Sequence, residues 1–321
     1  MVNVKEVGLS IEEVSKSYDH QVLDEISFEI SVGEIMGLIG PNGAGKTTLA
    51  RIIIGHTRTD SGSVWVRGEE VGRNPAKTRR YLGISFEDPV FNTHLNAFDY
   101  LMWVGQVRGL SHEEASEQAR FWFEFYEMED SCHKLLTTYS AGMRQKFSIA
   151  QALVGYPDIV ILDEPTSNLD VSSRLKTLEM IKEISLRRKT SFLVFSHALH
   201  DLGLVAHKIG FMRRGKIVLL DTTDNLESTC KPTHFLIHLN HSPEDFLETI
   251  RSIFDKLLTV VRVDSTNNII DCILPPSTPT AFHERIQAAD PGLSKSIVKI
   301  QPKYNLLEDL FLQINTEESE P

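Results

Sequence analysis

Gly40, Pro41, Asn42, Gly43, Ala44, Gly45, Lys46, Thr47 and Thr48 are consecutive and fit the pattern G-x-x-x-x-G-K-[ST]. Glycines in such a loop let backbone N–H groups crowd around phosphate oxygens, and the N-terminus of a following helix adds a favourable dipole. Lys46 is then expected to neutralise the β- and γ-phosphates of a nucleotide, and the Thr47 hydroxyl to ligate Mg²⁺. Asp163 and Glu164 end a second informative stretch, the apolar run from Ile159 to Leu162. Strand C-terminal ends face the ligand crevice of a doubly wound sheet. Asp163 is expected there to hold Mg²⁺ through water, and Glu164 to polarise the water that attacks the γ-phosphate. The competing reading, a capping Asp163 beside a solvated Glu164, leaves the upstream phosphate loop without chemistry. His197 follows the apolar run Phe192 to Phe195 and either reaches the same crevice or is simply exposed.

The surrounding pattern supplies the elements that must position these groups. Ile35 to Ile39 is an apolar run that stops at the glycine-rich loop, and Thr48 to Ile54 has helical texture. Strand, loop and helix thus follow in the order the phosphate motif needs. Before them, Leu9 and Ile11, then Ile26, Phe28, Ile30 and Val32, alternate with polar neighbours, which is the period of half-buried strands. Asn96 to Val107 and Glu113 to Tyr126 are rich in helix formers and aromatics, so a helical insertion is expected over about residues 90–155. The cluster Phe121, Trp122, Phe123, Phe125 and Tyr126 reads as its core rather than as a partner surface, although it surrounds its helix and leaves some members facing out. A helix from Ser172 to Arg188, a strand from Ser191 to Phe195 and a hairpin from Ile209 to Leu220 complete an alternating α/β core.

A polar seam at 222–232 separates this first part, 1–221, from a second. There the expected order is strand (Phe235 to Leu239), helix (Pro243 to Phe254) and two strands (Leu258 to Val263, Ile269 to Leu274). Helix (Pro279 to Ala289) and strand (Ser296 to Ile300) follow. That β-α-β-β-α-β order predicts a ferredoxin-like α+β domain over 233–315, with an acidic tail at 316–321.

Composition bounds the setting. The chain has 321 residues, enough for two domains, and 41% hydrophobic residues, enough for a core without staples. Its formal charge of −11 argues against nucleic acid and anionic lipid as partners. Cys132, Cys230 and Cys272 are scattered, with neither disulfide nor zinc spacing, as expected in a reducing compartment. Met1 to Tyr18 carries acids and does not read as a signal peptide, and no segment approaches about 20 apolar residues. Any membrane role is expected to come through another subunit.

On these and neighbouring residues the chain resembles the ABC ATPase family over roughly Leu9 to Leu220. Pro165-Thr166-Ser167-Asn168-Leu169-Asp170 resembles the family's D-loop, and Tyr139-Ser140-Ala141-Gly142-Met143 its signature, usually LSGGQ. His197 takes the switch-histidine position, Tyr18 that of the aromatic stacking on adenine, and Glu87, in Gly83-Ile84-Ser85-Phe86-Glu87, that of the Q-loop. The resemblance implies a P-loop NTPase cassette that binds ATP and Mg²⁺. It gives Glu164, His197 and Glu87 the catalytic positions, Thr47, Asp163 and Glu87 the metal positions, and places Asp170 with the nucleotide-binding loops. It further implies a head-to-tail dimer, a homodimer or a paired ABC cassette, in which Ser140 and Gly142 close over the γ-phosphate held by Lys46 of the other protomer. Tyr139, Ala141 and Met143 depart from the signature, while Ser140 and Gly142 are kept.

Glutamate at the Q-loop position, the altered signature and the closing motif Leu306-Leu307-Glu308-Asp309-Leu310-Phe311 resemble the drug- and antibiotic-resistance export branch. The expected protein is therefore the ATP-hydrolysing subunit of an exporter. It would sit in the cytoplasm at the inner face of the membrane and drive an integral membrane permease. The alternatives are an ABC ATPase acting on nucleic acid or ribosomes, which the acidic charge disfavours, and an ATP sensor without hydrolysis.

Overall fold

In a computed structural model the structure describes residues 6–91, 95–229, 234–240, 242–254, 259–273 and 279–302. Two compact units emerge, Met1–Thr223 and Asp224–Pro321.

The first unit runs β1 (Val7–Ser17), β2 (Gln21–Ser31), β3 (Ile35–Ile39), α1 (Lys46–Ile53), β4 (Ser61–Val66), β5 (Glu69–Glu70), α2 (Pro75–Thr78) and β6 (Leu82–Ser85). The helical insertion follows with α3 (Ala97–Val107), α4 (His112–Phe125) and α5 (Ala141–Leu153). The chain returns through β7 (Ile159–Asp163), α6 (Val171–Arg188), β8 (Ser191–Ser196), α7 (Leu199–Val205), β9 (Lys208–Arg213) and β10 (Lys216–Thr222); α8 (Thr223–Thr229) begins at the last residue of this unit and runs on into the second.

Six strands form the central sheet in the order β10-β9-β3-β8-β7-β6. The pairs β9–β3, β3–β8, β8–β7 and β7–β6 are parallel. Every residue of β3, β7 and β8 is buried, which is why these strands read as unbroken apolar runs. β10 is antiparallel to β9, and the hairpin turns through Arg214 and Gly215, both at positive φ, as a two-residue turn between twisted strands requires.

A second sheet, antiparallel and ordered β2-β1-β4-β5, was not legible in the sequence beyond its first two strands. Its buried face, with Leu9, Ile11, Ile26, Phe28, Ile30, Val64 and Val66, joins Leu49, Ile53, Ile159 and Ile161 in one core. Ala44 of the glycine-rich loop and Leu49, Ala50, Ile52 and Ile53 of α1 belong to this core, which fixes both.

Local signals fix the helix ends. Ser111 and Glu114 form a reciprocal capping box at the start of α4, so the insertion's second helix begins where its side chains meet the orphan N–H groups. α1 starts two residues before the expected Thr48, because Gly45 at φ 107° already turns the chain into the helix. A side chain at Gly45 would come within 2.8 Å of the Val22 carbonyl, so only glycine fits there. Within the segment expected as a linker, α8 extends to Thr229 and buries Leu226. The Thr223 hydroxyl donates to the Ala206 carbonyl at 2.7 Å.

The second unit contains β11 (His234–Leu239), α9 (Pro243–Phe254), β12 (Thr259–Asp264), β13 (Ile269–Ile273), α10 (Pro279–Ala289), α11 (Pro291–Ser294) and β14 (Ile297–Pro302). Its sheet order is β12-β13-β11-β14, antiparallel throughout. Each βαβ crossover therefore skips one strand, the split arrangement of a ferredoxin-like fold. Phe235, Ile237, Phe246, Ile250, Ile270 and Ile286 are all 0% exposed, so this unit has a core of its own. The closing motif at 306–311 and the tail lie outside the described residues.

Candidate functional site

A hollow of about 410 Å³ opens where β3 hands over to α1. Pro41 to Thr48 form its floor, with Glu87, Asp163 and Glu164 on one wall and His20 and Val22 on another. Strand ends, the loops after them and the first turn of α1 supply these residues: β3 delivers the loop, β6 leads to Glu87, and β7 ends in Asp163. The parallel registry aligns them, since Ser85 pairs with Leu162 and Asp163 with Phe195.

Lys46 is 7% exposed and its ammonium donates to the carbonyls of Gly40 and Pro41. Both carbonyls belong to the loop that Lys46 itself ends. Gly40 thus takes part through its carbonyl without lining the hollow. The Thr47 hydroxyl donates to Asp163 Oδ2 at 3.0 Å. Asp163 is 2% exposed. Burial raises its pKa, and the Glu164 and Glu87 carboxylates add to the rise, while the Thr47 hydrogen bond and the Lys46 charge oppose it. A buried carboxylate with acidic neighbours is an electrostatic vacancy for a cation.

Glu164 is buried and sits at φ 50°, a left-handed conformation that costs a side-chain-bearing residue about 1 kcal/mol. Its surroundings hold it there. Its N–H donates to the Phe195 carbonyl at 2.9 Å, and its own carbonyl accepts from the Ser167 hydroxyl at 3.0 Å and from Gln145 at 3.4 Å. The Glu164 carboxylate meets His197 Nδ1 at 2.8 Å and the Ser196 hydroxyl at 3.4 Å. His197 itself is largely exposed, so it joins the acid pair from the solvent side.

The remaining expected residues lie elsewhere. Tyr18 is 57% exposed at the β1–β2 turn, with Lys16 5.4 Å from its ring centroid. It does not line the hollow, whereas His20 and Val22 of the same hairpin do. No chemical motif marks His20 and Val22 in the sequence; hairpin geometry alone brings them in. Ser140 is exposed and caps α5, accepting from the Met143 N–H at 3.3 Å. Gly142 packs on the loop after Glu164, where an added Cβ would stand 2.9 Å from the Asn168 carbonyl. Asp170 is exposed and caps α6, accepting from the Ser173 N–H at 2.9 Å and hydroxyl at 2.7 Å, which lower its pKa. Ser140, Gly142 and Asp170 are thus not among the residues lining the hollow that Lys46 serves in the same chain. A larger hollow of about 520 Å³ lies at the opposite ends of β7 and β8, lined by Phe121, Trp122 and Tyr156, and shares no residue with the phosphate loop.

The family profile described as ABC transporter matches residues 23–167, which take in the loop, Glu87, Ser140 and both acids. The ABC transporter ATP-binding protein YxlF of Bacillus subtilis (strain 168), itself uncharacterised, is 33% identical over 88% of this chain and 97% of its own length. The chain belongs to the ABC transporter ATP-binding proteins. As an ABC cassette it binds and hydrolyses ATP and serves a transporter as its ATP-binding subunit. A resistance relative, the linearmycin resistance ATP-binding protein LnrL of the same organism, is 32% identical over 76% of this chain and 79% of its own. Among solved structures, one titled as the ATP binding subunit of an ABC transporter aligns with a TM-score of 0.65 at 26% identity, over 69% of this chain and 92% of that one.

Proposed function

We propose that this ABC subunit drives export through a separate integral membrane permease, as one half of a head-to-tail pair of cassettes. The observation carrying this reading is the division of the site. Lys46, Thr47, Asp163, Glu164 and Glu87 line one hollow, while the exposed Ser140 and the half-buried Gly142, which packs on Asn168, are not among its lining residues. A second copy, or a paired ABC cassette, would place its own Ser140 and Gly142 over the nucleotide. The likeness to a linearmycin resistance protein supports export. Among the described residues no helix is long and apolar enough to cross a membrane. The subunit would work at the inner face of the cell membrane.

In this reading the helix dipole of α1 and the glycine-rich loop bind the phosphates of ATP. Lys46 leaves its carbonyl partners for the β- and γ-oxygens. The donor set fits Mg²⁺: Thr47, Asp163 and Glu87 are hard oxygen donors around a carboxylate whose pKa is raised by burial. When bound, Mg²⁺ would neutralise charge on the β- and γ-phosphates. Glu164 accepts the proton of the attacking water, oriented by His197 at 2.8 Å. The tether from Ser167 and Gln145 to the Glu164 carbonyl keeps the carboxylate aimed.

Phosphate release from Mg²⁺ and ATP by the purified chain, alone and with its permease, tests the reading. Glu164→Gln should cut the rate by about 10²–10⁴-fold while leaving ATP binding intact, and should trap an ATP-bound dimer visible by light scattering. A Glu164→Gln protein that stays monomeric in saturating ATP would contradict the paired arrangement. Wild-type and variant chains with the same background rate would contradict hydrolysis by Glu164.

A further inference from the structure

Asp201 lies in α7, four residues beyond His197, and is 2% exposed. Its carboxylate holds two separate points of the segment that begins with Glu164. Oδ2 accepts the Thr166 hydroxyl at 2.7 Å, and Oδ1 accepts Arg174 Nε at 2.6 Å, with Arg174 Nη2 alongside. Thr166 stands two residues after Glu164, and Arg174 is in the first turn of α6, its N–H donating to the Asp170 carbonyl at 2.9 Å. One buried carboxylate therefore spans the loop 164–170 from its start to the helix that ends it. The same α7 turn continues from the His197 loop, where Asp201 N–H donates to Ala198 and Ala198 N–H to the Ser196 hydroxyl. Glu164 needs such a fixture, because its left-handed turn is not one a glutamate adopts unaided.

We propose that Asp201, with Thr166 and Arg174, is a positioning brace that sets the geometry between Glu164 and His197 without touching nucleotide. It rests on the hydrolytic reading of that pair. A buried carboxylate held by a half-exposed guanidinium and a hydroxyl is rigid, since losing either donor leaves Asp201 short of a partner away from water. None of the three lines the hollow that Lys46 and Thr47 serve, so loss of the brace should move the acid pair and leave the phosphate loop alone. A displacement near 1 Å at a general base costs up to about a hundredfold in rate.

The test compares wild type, Asp201→Asn, Thr166→Val and Asp201→Glu in steady-state hydrolysis, well below each protein's melting temperature. Thr166→Val keeps the ion pair and the side-chain shape, so it reports even where Asp201→Asn folds poorly. The expected result is a kcat lowered by about tenfold in Thr166→Val and by up to about a hundredfold in Asp201→Asn. KM for ATP should stay within about twofold, and Asp201→Glu should recover most of the rate. Wild-type kcat in a folded Thr166→Val would overturn the brace. So would kcat and KM failing together in step with lost melting temperature, the mark of a merely structural role. A wild-type chain that releases no phosphate would instead overturn the hydrolytic reading, and the brace with it.

Discussion

Asp163 shows how a binding residue costs its own protein stability. It is buried with Glu164 and Glu87 nearby, and its pKa is raised. An acid whose folded pKa lies above its unfolded one supports folding below the unfolded value, and that support is lost as pH rises through the folded value. At neutral pH the ionised Asp163 therefore destabilises the ligand-free chain. Asp163→Asn, which keeps an acceptor for Thr47, should raise the melting temperature of the nucleotide-free protein at pH 7 by calorimetry. The gain should shrink as pH falls through the raised folded pKa and the wild-type carboxyl takes up its proton. The same variant should lose the extra stabilisation that Mg²⁺ with ATP gives wild type, because the cation has lost its buried carboxylate. A melting temperature lower than wild type at pH 7 would mean that Lys46, not burial, dominates at this carboxylate.

At the scale of elements, one cation joins two helices of the insertion to β6, the strand of the sheet that precedes them. Arg108 follows α3 and donates to the carbonyls of Ala152 and Val154 at the end of α5, and to Leu82 at the start of β6. It thus caps a helix C-terminus, where a positive charge also meets the dipole. Burial lowers its pKa to about 10, still far above neutral, so the charge persists at working pH. Arg108→Ala leaves three carbonyls short of a donor and should cost about 3 kcal/mol in denaturant unfolding. Arg108→Lys should recover only part, since one ammonium cannot span the three carbonyls that the planar fork reaches. Equal stability of Arg108→Ala and wild type would place the insertion's anchorage in its aromatic core, around Phe147 and Tyr100, and not in this cap.

For the whole molecule, the two units carry separate cores. A chain truncated after Thr229, which keeps α8 with its buried Leu226, should stay soluble and bind ATP with unchanged affinity. Loss of soluble protein, or a weaker Kd, would show that the ferredoxin-like unit contributes to the cassette's stability or to its site.

The phosphate loop, the acid pair and the core strands were legible in the sequence because each depends on a short run of neighbours. Ile35–Ile39 and Ile159–Leu162 are buried on both faces and so are apolar throughout, and a loop that wraps phosphate must place its glycines within a few residues of one another, here at 40, 43 and 45. The resemblance to ABC ATPases carried Ser140, Glu87 and Asp170 further than spacing could. Tertiary structure decided what depends on distant segments meeting. The antiparallel sheet of β1, β2, β4 and β5 needs pairing across the whole of α1. His20 and Val22 enter the site through a hairpin without chemical markings, while Tyr18, two residues from His20, stays in solvent. Asp201, an ordinary helix acid in the sequence, becomes a brace only because α6, α7 and the loop after Glu164 converge on it. Local order follows from local composition; which charges share a buried space follows from packing, and packing is a property of the whole chain.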